Sequence, residues 1–209
     1  MQKPFSRTQK MKFKVLLQSL AAAAVLAVSA PHADAAFYST AGHPKAHGLV
    51  ITVDGPDDWE RKESRMEHIV QRWVHRDRDH QAIIGIQAFA GSDDIVNPEA
   101  AVDQLFREGG VWDLIHFTKK EKLVEKLGLG KICKSGGCGF NAKCVLFFDN
   151  GKFSTYSATR RLWLVNRHRA VLIQLNVMGK DPSVLKRALD RYDYVWNGFV
   201  GSMSIRNWQ

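Results

Sequence analysis

Three cysteines are the residues whose type and spacing could support chemistry in this chain. Cys133, Cys138 and Cys144 lie in a glycine-rich stretch with the spacing C-x4-C-x5-C. This spacing matches neither a C-x-x-C redox pair nor the paired C-x-x-C of a zinc knuckle. In an oxidising compartment three cysteines predict one disulfide and one free thiol. Gly136 and Gly137 let the chain turn back and favour the Cys133–Cys138 pair, although Cys144 could be the partner of either.

Two chemical roles compete with a structural disulfide. A tetrahedral zinc site would need a fourth ligand such as His116, which the sequence does not place nearby. A reactive thiol would gain from Lys131, Lys134 and Lys143, because neighbouring cations lower a thiol's pKa. The same lysines also solubilise a loop. The structural disulfide requires the fewest additional residues.

The other polar motifs do not predict an enzyme. His43 and His47 form an H-x3-H pair in a segment too loose to be preorganised for a metal, and the remaining histidines are scattered. The chain has no G-x-S-x-G, H-E-x-x-H, P-loop or G-x-G-x-x-G motif. Asp77 and Asp79 fall in a predicted turn, where solvated loop charge explains them. We therefore expect no catalytic residue, no metal and no cofactor.

A cationic and aromatic cluster is the candidate binding patch. Its members are Arg160, Arg161, Trp163, Arg167, His168 and Arg169. Such a cluster could bind phosphate groups or anionic glycans. The alternative is a charged, solvated strand face that prevents edge-to-edge pairing, with the neutralising acids across the sheet.

The first 35 residues have the pattern of a secretory signal peptide. A basic segment precedes an apolar run over 15–30, and Ala33-Asp34-Ala35 is an A-x-A cleavage signature. The apolar run is short for a membrane span and is broken by Pro31, although a retained N-terminal anchor is the alternative. We expect a bacterial protein cleaved near Ala35 and located in the periplasm or secreted.

Cleavage changes the charge argument. The full chain has a formal net charge of +9, and removal of five basic residues and one acidic residue leaves +5 on 174 residues. That moderate charge does not favour nucleic acid, but it suits a protein partner or an anionic envelope polymer. The remaining length is enough for one domain with a sizeable core.

The clearest structural signal lies between residues 143 and 177. Asn150-Gly151 separates two β-prone runs and predicts a hairpin turn of type I′. Val171, Ile173, Leu175 and Val177 occupy alternate positions of a further strand with one apolar face. With a second turn at 166–169, these runs predict an antiparallel three-stranded meander.

The other elements follow in chain order. Strands are predicted over 49–53, 67–75 and 82–89, after a flexible tail at 36–48. Asn97-Pro98 is a cap-and-proline helix start, and Gly109-Gly110 ends that helix. Residues 111–127 predict a strand or irregular turn that leads into a short helix. Asp181-Pro182 starts a long amphipathic C-terminal helix, followed by a short edge strand at 202–206.

These elements resemble those of the DcrB/PsbP superfamily of small exported α+β domains. The resemblance rests on the strand and turn that end in Trp59, the Asn97-Pro98 helix, and the order of hairpin, strand, capped helix and Ser202-Met203-Ser204-Ile205. It covers about residues 49–206, and the cysteine loop is an addition to that pattern. The resemblance implies an antiparallel sheet packed by helices and a non-enzymatic envelope protein.

The sequence therefore predicts a signal peptide (1–35), a flexible tail (36–48) and a single α+β domain (49–209). The first functional hypothesis is an exported, non-catalytic module that binds a protein or an anionic envelope component. The alternative is a thiol- or metal-dependent enzyme that uses the 133–144 loop.

Overall fold

The computed structural model describes residues 37–115 and 120–208, without the side chains of residues 92 and 93. The predicted signal peptide and His116 lie outside the described residues.

The described chain contains strands and helices in mixed order. The strands are β1 (Phe37–Ser39), β2 (Val50–Asp54), β3 (Glu60–Lys62), β4 (Ile69–Arg76), β5 (Gln81–Ile95), β6 (Glu121–Lys134), β7 (Gly137–Asp149), β8 (Ser154–Gly179) and β9 (Ser204–Arg206). The helices are α1 (Pro98–Arg107), α2 (Val111–Ile115), α3 (Pro182–Arg191) and α4 (Asp193–Ser202), with a 3-10 turn at Pro44–Ala46.

The strands form two antiparallel sheets. The small sheet has the order β1-β2-β9, and the large sheet has the order β3-β4-β5-β8-β7-β6. Among the described residues, every pair of neighbouring strands is antiparallel. The predicted class, an α+β protein with an antiparallel sheet covered by helices, is confirmed.

Strand β8 consists of two arms that fold back on each other. Residues 154–165 pair with β7, and residues 167–178 pair with β5. A straight strand of 26 residues would span about 85 Å, yet Thr155 Oγ1 donates a hydrogen bond to Gly179 O at 3.0 Å. The chain reverses near Arg167, whose φ is 48°. The structure therefore has a turn where the sequence predicts the second turn of the meander.

Both faces of the large sheet are covered, but by different elements. The inner face packs against α3, α4 and the small sheet, around residues such as Trp73, Trp196 and Phe199. The outer face packs against α1 and α2 around Trp163 and Phe140. Alternate residues of β8 serve the two cores, so Ile173 lies in the inner core and Leu172 in the outer one.

The local signals at turns and caps are present with one difference. Asn97 Oδ1 accepts a hydrogen bond from Ala100 N at 3.0 Å, as expected of a helix cap. Gly151 has φ +80°, but Asn150 is not at positive φ. The connection is four residues long, and Asn150 Oδ1 accepts from Lys152 N and Phe153 N. The hairpin is present, but its turn is not of type I′.

Residues 37–48 are not the flexible tail that the sequence predicts. β1 pairs with β2, and the Tyr38 ring packs edge-on against Trp73 at 5.5 Å. Thr40 Oγ1 donates to Leu49 O and accepts from Ile51 N, both at 2.8 Å. A strand of three residues is too short to show a period, so these long-range contacts have no local signal.

The predicted long C-terminal helix is divided in two. α3 ends at Arg191 and α4 begins at Asp193, because Tyr192 has ψ 8° and leaves the helical range. The short helix predicted at the end of the 111–127 segment is also wrong, because residues 121–134 form strand β6. Register shifts at Leu123/Glu125 and Lys126/Gly128 give that strand its helix-like spacing of apolar residues.

Candidate functional site

The cysteine loop is the tip of the β6–β7 hairpin. Cys133 and Cys138 face each other across the two strands and form a disulfide, the pairing that the glycine argument favours. Trp208 Nε1 donates to Ser135 O at 2.7 Å, and a Cβ on Gly137 would lie 2.8 Å from the Trp208 ring. Trp208 thus packs on this hairpin tip, and the disulfide there has a structural role.

Cys144 is free, buried and placed in the outer core. Burial raises the pKa of its thiol to about 11, although Arg161 opposes the shift. A thiol with that pKa carries very little thiolate at neutral pH, and the thiolate is the nucleophile and metal ligand. The geometry therefore disfavours a thiol-dependent enzyme at this loop.

The predicted basic patch does not form one surface. Arg160 and Arg161 are neighbours on the first arm of β8, so they lie on opposite faces. Arg161 and Trp163 are buried on the outer face. Arg161 Nη1 donates to Ile115 O at 2.5 Å and pairs with Glu121 at 3.6 Å.

The rest of the predicted patch lies at the bend of β8. Arg167 and His168 are exposed there, and Arg169 is half-buried. His168 Nε2 is 3.9 Å from Asp94 Oδ1. The alternation of strand faces, which the sequence already shows, separates these residues from Arg161 and Trp163.

Ion pairs on the inner face join the sheet to the C-terminal helices. Arg160 pairs with Asp193 at 2.6 Å and Lys186 with Glu125 at 3.0 Å. Lys143 on the neighbouring strand pairs with Asp190. Three adjacent strands are thus tied to α3 and α4, and the acids that neutralise Arg160 come from a helix.

A second inner-face network centres on His80. Its ring is buried, with Nδ1 2.6 Å from Asp79 Oδ1 and Nε2 3.0 Å from Tyr192 Oη. The hydrogen bond from His80 lowers the pKa of the Asp79 carboxyl, and burial raises the pKa of Tyr192. These two hydrogen bonds connect the β4–β5 turn to the junction of α3 and α4.

His80 also belongs to the group of described residues whose geometry could suit a metal ion. Ligand atoms of Asp77, Asp79 and His80 lie within 4.8 Å of one another. Both ring nitrogens of His80 already have partners, so a cation would have to displace Asp79 from Nδ1. The arrangement is complete as a hydrogen-bond network without an ion.

The outer face of the large sheet carries a polar cluster that the sequence analysis did not single out. We call it the outer polar cluster, and its members are Arg72, Gln87, Ser157, Thr159, Gln174 and Asn176. The registers Arg72↔Gly85, Gly85↔Gln174 and Ile83↔Asn176 place these positions side by side on β4, β5 and β8. The reversal of β8 places Thr159 and Ser157 on the adjacent arm.

Several polar atoms of this cluster are buried and have no hydrogen-bond partner in the described parts of the chain. They are Arg72 Nε, Gln87 Oε1, Ser157 Oγ, Thr159 Oγ1 and Asn176 Oδ1. Gln87 is only 1 % exposed and Thr159 is 0 % exposed, whereas Arg72, Ser157 and Asn176 are half-buried. An unpaired buried polar group costs about 1–3 kcal/mol, so bound water or a ligand is the usual explanation for such atoms.

Gly85 has no side chain and therefore leaves a gap among the side chains of the cluster, which we call the trough. A Cβ at this position would contact only Gln71 O at 3.5 Å and Arg72 Cβ at 3.9 Å among the described residues. Arg161, two residues from Thr159 on the same face of β8, donates to the carbonyl of Ile115. Beside Arg72 on β3 lies the Lys62–Glu60 ion pair, 3.0 Å. The arrangement can bind a polar molecule across three strands.

Comparisons with known proteins give distant likenesses. No family model matches the chain, and no curated protein matches it. LpqN of Mycobacterium tuberculosis, described as involved in cell envelope biogenesis, is similar with a TM-score of 0.42 and 14% identity, covering 82% of this chain and 91% of LpqN.

Two further solved structures are similar at the same level. The solution structure of PsbP (CyanoP) from Synechocystis sp. PCC 6803 has a TM-score of 0.43 and 8% identity, covering 87% of this chain and 99% of CyanoP. A protein of Bacteroides thetaiotaomicron has a TM-score of 0.38 and 12% identity, covering 75% of this chain and 45% of that protein. CyanoP is a PsbP protein, the family that the sequence resembles. Likenesses at these values do not define a function.

Among the residues that the structure describes, no helix is both long and apolar enough to cross a membrane.

Proposed function

We propose that this chain is an exported, non-catalytic module that binds a polar component of the cell envelope through the outer polar cluster. One observation carries the proposal. Gln87 and Thr159 are buried side chains of the central strands, and each has a polar atom without a hydrogen-bond partner among the described residues. A site that binds a polar ligand explains why these residues are there, because an apolar side chain of the same shape would otherwise be more stable.

The compartment is inferred from the N-terminal sequence and the cysteines. The n-region, apolar run and A-x-A motif are those of a signal peptide, and a cross-strand disulfide suits an oxidising compartment. The site lies on the sheet face between α2 and β3 and includes neither the disulfide nor Cys144. The thiol-dependent alternative loses its support, since Cys144 is buried with a raised pKa.

The experiment is an NMR titration of the exported, purified protein. The probe is a dialysed soluble extract of bacterial cell envelopes, and the readout is the set of backbone and side-chain amide signals. We expect shifts at Gly85 and at the side-chain amides of Gln87, Gln174 and Asn176. Gln71 is the internal control, because its amide lies on the inner face and is fully hydrogen-bonded.

Two variants separate the proposed site from the rest of the surface. Arg72→Met and Arg187→Met each remove one positive charge, but Arg187 lies exposed on α3, away from the outer face. We expect Arg72→Met to reduce the perturbation and Arg187→Met to leave it unchanged. Shifts confined to the β6 edge or to the helices, or no shifts at all, would contradict the proposed function.

A rate measurement tests the enzyme alternative. We expect Cys144 to resist iodoacetamide in the native protein at neutral pH and to react once the protein is unfolded. Rapid alkylation of the native protein would restore the reactive-thiol hypothesis.

A further inference from the structure

We infer that the outer polar cluster takes a hydroxyl-rich saccharide that carries an acidic group. This inference rests on the proposed function, since it names the ligand class of the same site. It follows from which hydrogen-bonding atoms are left unpaired, from the charge that accompanies them and from the trough between them.

The unpaired atoms require a ligand that both donates and accepts hydrogen bonds. Gln87 Oε1 and Asn176 Oδ1 are acceptors, and the hydroxyls of Ser157 and Thr159 can do either. Sulfate or a carboxylate only accepts, so it leaves the two amide oxygens unpaired, and inorganic phosphate at neutral pH offers few P–O–H donors. A saccharide hydroxyl donates and accepts, and it satisfies an amide whichever way its oxygen and nitrogen point.

A metal cation does not suit the same atoms. Oxygen ligands could in principle coordinate calcium, but calcium sites are built mainly around carboxylates. The six members of the cluster include no carboxylate, and they include the cationic Arg72. The positive charge of that guanidinium opposes a bound cation.

The charge of the cluster selects an acidic substituent. Arg72 Nε has no hydrogen-bond partner in the part of the chain that the structure describes, whereas the nearby Lys62 is paired with Glu60. Arg161 is held by the Ile115 carbonyl and by Glu121. An acidic group on the ligand would form a charge-assisted hydrogen bond with Arg72, which is stronger than a bond between neutral groups.

The shape of the site suits a ring laid across the strands. Gly85 lies between Arg72 and Gln174 in the register, and its missing side chain leaves the trough open. From β4 to the first arm of β8 the cluster extends over three strand spacings, about 14 Å. Arg72, Asn176 and Ser157 are half-buried, so rotation of their terminal torsions can present the unpaired atoms to a ligand in the trough.

Isothermal titration calorimetry at low salt tests the ligand class with three probes. They are a tetrasaccharide of alternating N-acetylglucosamine and glucuronic acid, a neutral N-acetylglucosamine tetrasaccharide, and inorganic phosphate. We expect the acidic tetrasaccharide to bind about tenfold or more tightly than the neutral one, because it adds a hydrogen bond between charged groups. Phosphate should bind weakest.

Variants assign the binding to individual residues. Arg72→Met should remove the preference for the acidic tetrasaccharide and leave the neutral one almost unchanged, while Arg187→Met keeps the preference. Asn176→Leu should weaken both saccharides. A melting curve of each variant confirms that it is folded before its affinity is compared.

The outcomes separate this inference from the proposed function. Equal affinity for the acidic and neutral saccharides would contradict the claim that the ligand carries an acidic group. Phosphate binding as tight as that of the acidic saccharide would contradict the claim that the ligand is a saccharide. Failure of both saccharides, with the envelope extract still shifting Gly85 and Gln174, would overturn the ligand class and leave the binding module standing. Failure of the extract as well would overturn both.

Discussion

Two buried glutamines, one on each face of the large sheet, differ in how many hydrogen bonds their side chains form. Gln71 lies on β4 at the inner face, and Gln87 lies on β5 at the outer face. Gln71 Nε2 donates to Lys62 O at 2.9 Å and to Arg72 O at 2.8 Å, and its Oε1 accepts from Arg61 Nε at 3.2 Å. Gln87 Oε1 is equally buried and has no hydrogen-bond partner within residues 37–115 and 120–208.

The same contrast extends over both faces. On the inner face His80 has a partner on each ring nitrogen, and Arg160 is paired with a helix carboxylate. On the outer face the unpaired atoms of Thr159 and Asn176 belong to central strands. On the inner face Arg160 Nε and Asp193 Oδ1 also have no hydrogen-bond partner among the described residues, but an ion pair joins these two residues. The outer face leaves more of its hydrogen-bonding capacity unused. Unused capacity at buried positions is what a binding site needs before its ligand arrives.

Truncation of an inner-core aromatic should have the largest effect. Trp196 on α4 is 1 % exposed and lies in the inner core. We expect Trp196→Ala to lower the free energy of unfolding by about 3–5 kcal/mol, because it leaves a cavity where the helix meets the sheet. Urea denaturation followed by circular dichroism measures this. A loss below about 1 kcal/mol would mean that α4 contributes little to the core.

A matched pair of substitutions tests the contrast between the glutamines directly. Gln71→Met and Gln87→Met are nearly isosteric and remove an amide at similar burial. We expect Gln71→Met to destabilise by about 1–3 kcal/mol, because it removes the hydrogen bonds of the buried amide to Arg61, Lys62 O and Arg72 O. Gln87→Met should be neutral or stabilising. Equal losses, measured by urea denaturation of both proteins, would remove the distinction between the two faces.

The His80 network adds an acid-sensitive component to the inner face. The hydrogen bond from His80 lowers the pKa of Asp79 below its ordinary value of 3.8. The unfolded chain therefore binds the proton more readily, and stability falls as the pH drops through 3.8 towards the folded-state pKa. We expect Asp79→Asn to flatten this part of the curve of unfolding free energy against pH. An unchanged acid slope in the variant would show that the Asp79–His80 bond does not contribute.

The smallest expected effect on stability is that of a substitution at Thr159, a buried member of the outer polar cluster. Thr159→Val replaces an unpaired hydroxyl by a methyl group of similar shape at a fully buried position. We expect no loss of stability, or a slight gain, when ligand is absent. Thermal unfolding with and without the acidic tetrasaccharide provides the measurement, and the ligand should stabilise the variant less than the wild type. Destabilisation of the free protein by more than about 1 kcal/mol would indicate that the hydroxyl already has a partner.

Much of the fold can be predicted from local pattern because the signals are strong where the elements are long. The alternation from Val171 to Val177 and the caps at Asn97 and Asp181 are present as expected. Pairing β1 with β2 depends on contacts such as Tyr38 with Trp73, which have no local signature. Two bulges give the apolar residues of β6 a helical spacing, and this explains the incorrect helix there.

The candidate site was harder to predict than the fold, for a topological reason. Its residues come from β4, β5 and both arms of β8, so they become neighbours only after strand order and register are known. The sequence contains one signal for the site. Gln174 and Asn176 are polar residues that alternate with the buried apolar residues Ile173, Leu175 and Val177. Polar residues on a partly covered face of a central strand can therefore indicate a site even when no motif exists.

The small sheet also determines when folding can finish. β2 is its middle strand and lies between β1, near the start of the described chain, and β9, near its end. The sheet cannot close until residues 204–206 have been synthesised, and Trp208 adds its contact with the cysteine loop later still. A chain built in this way cannot complete its small sheet until nearly all of the described residues have been synthesised.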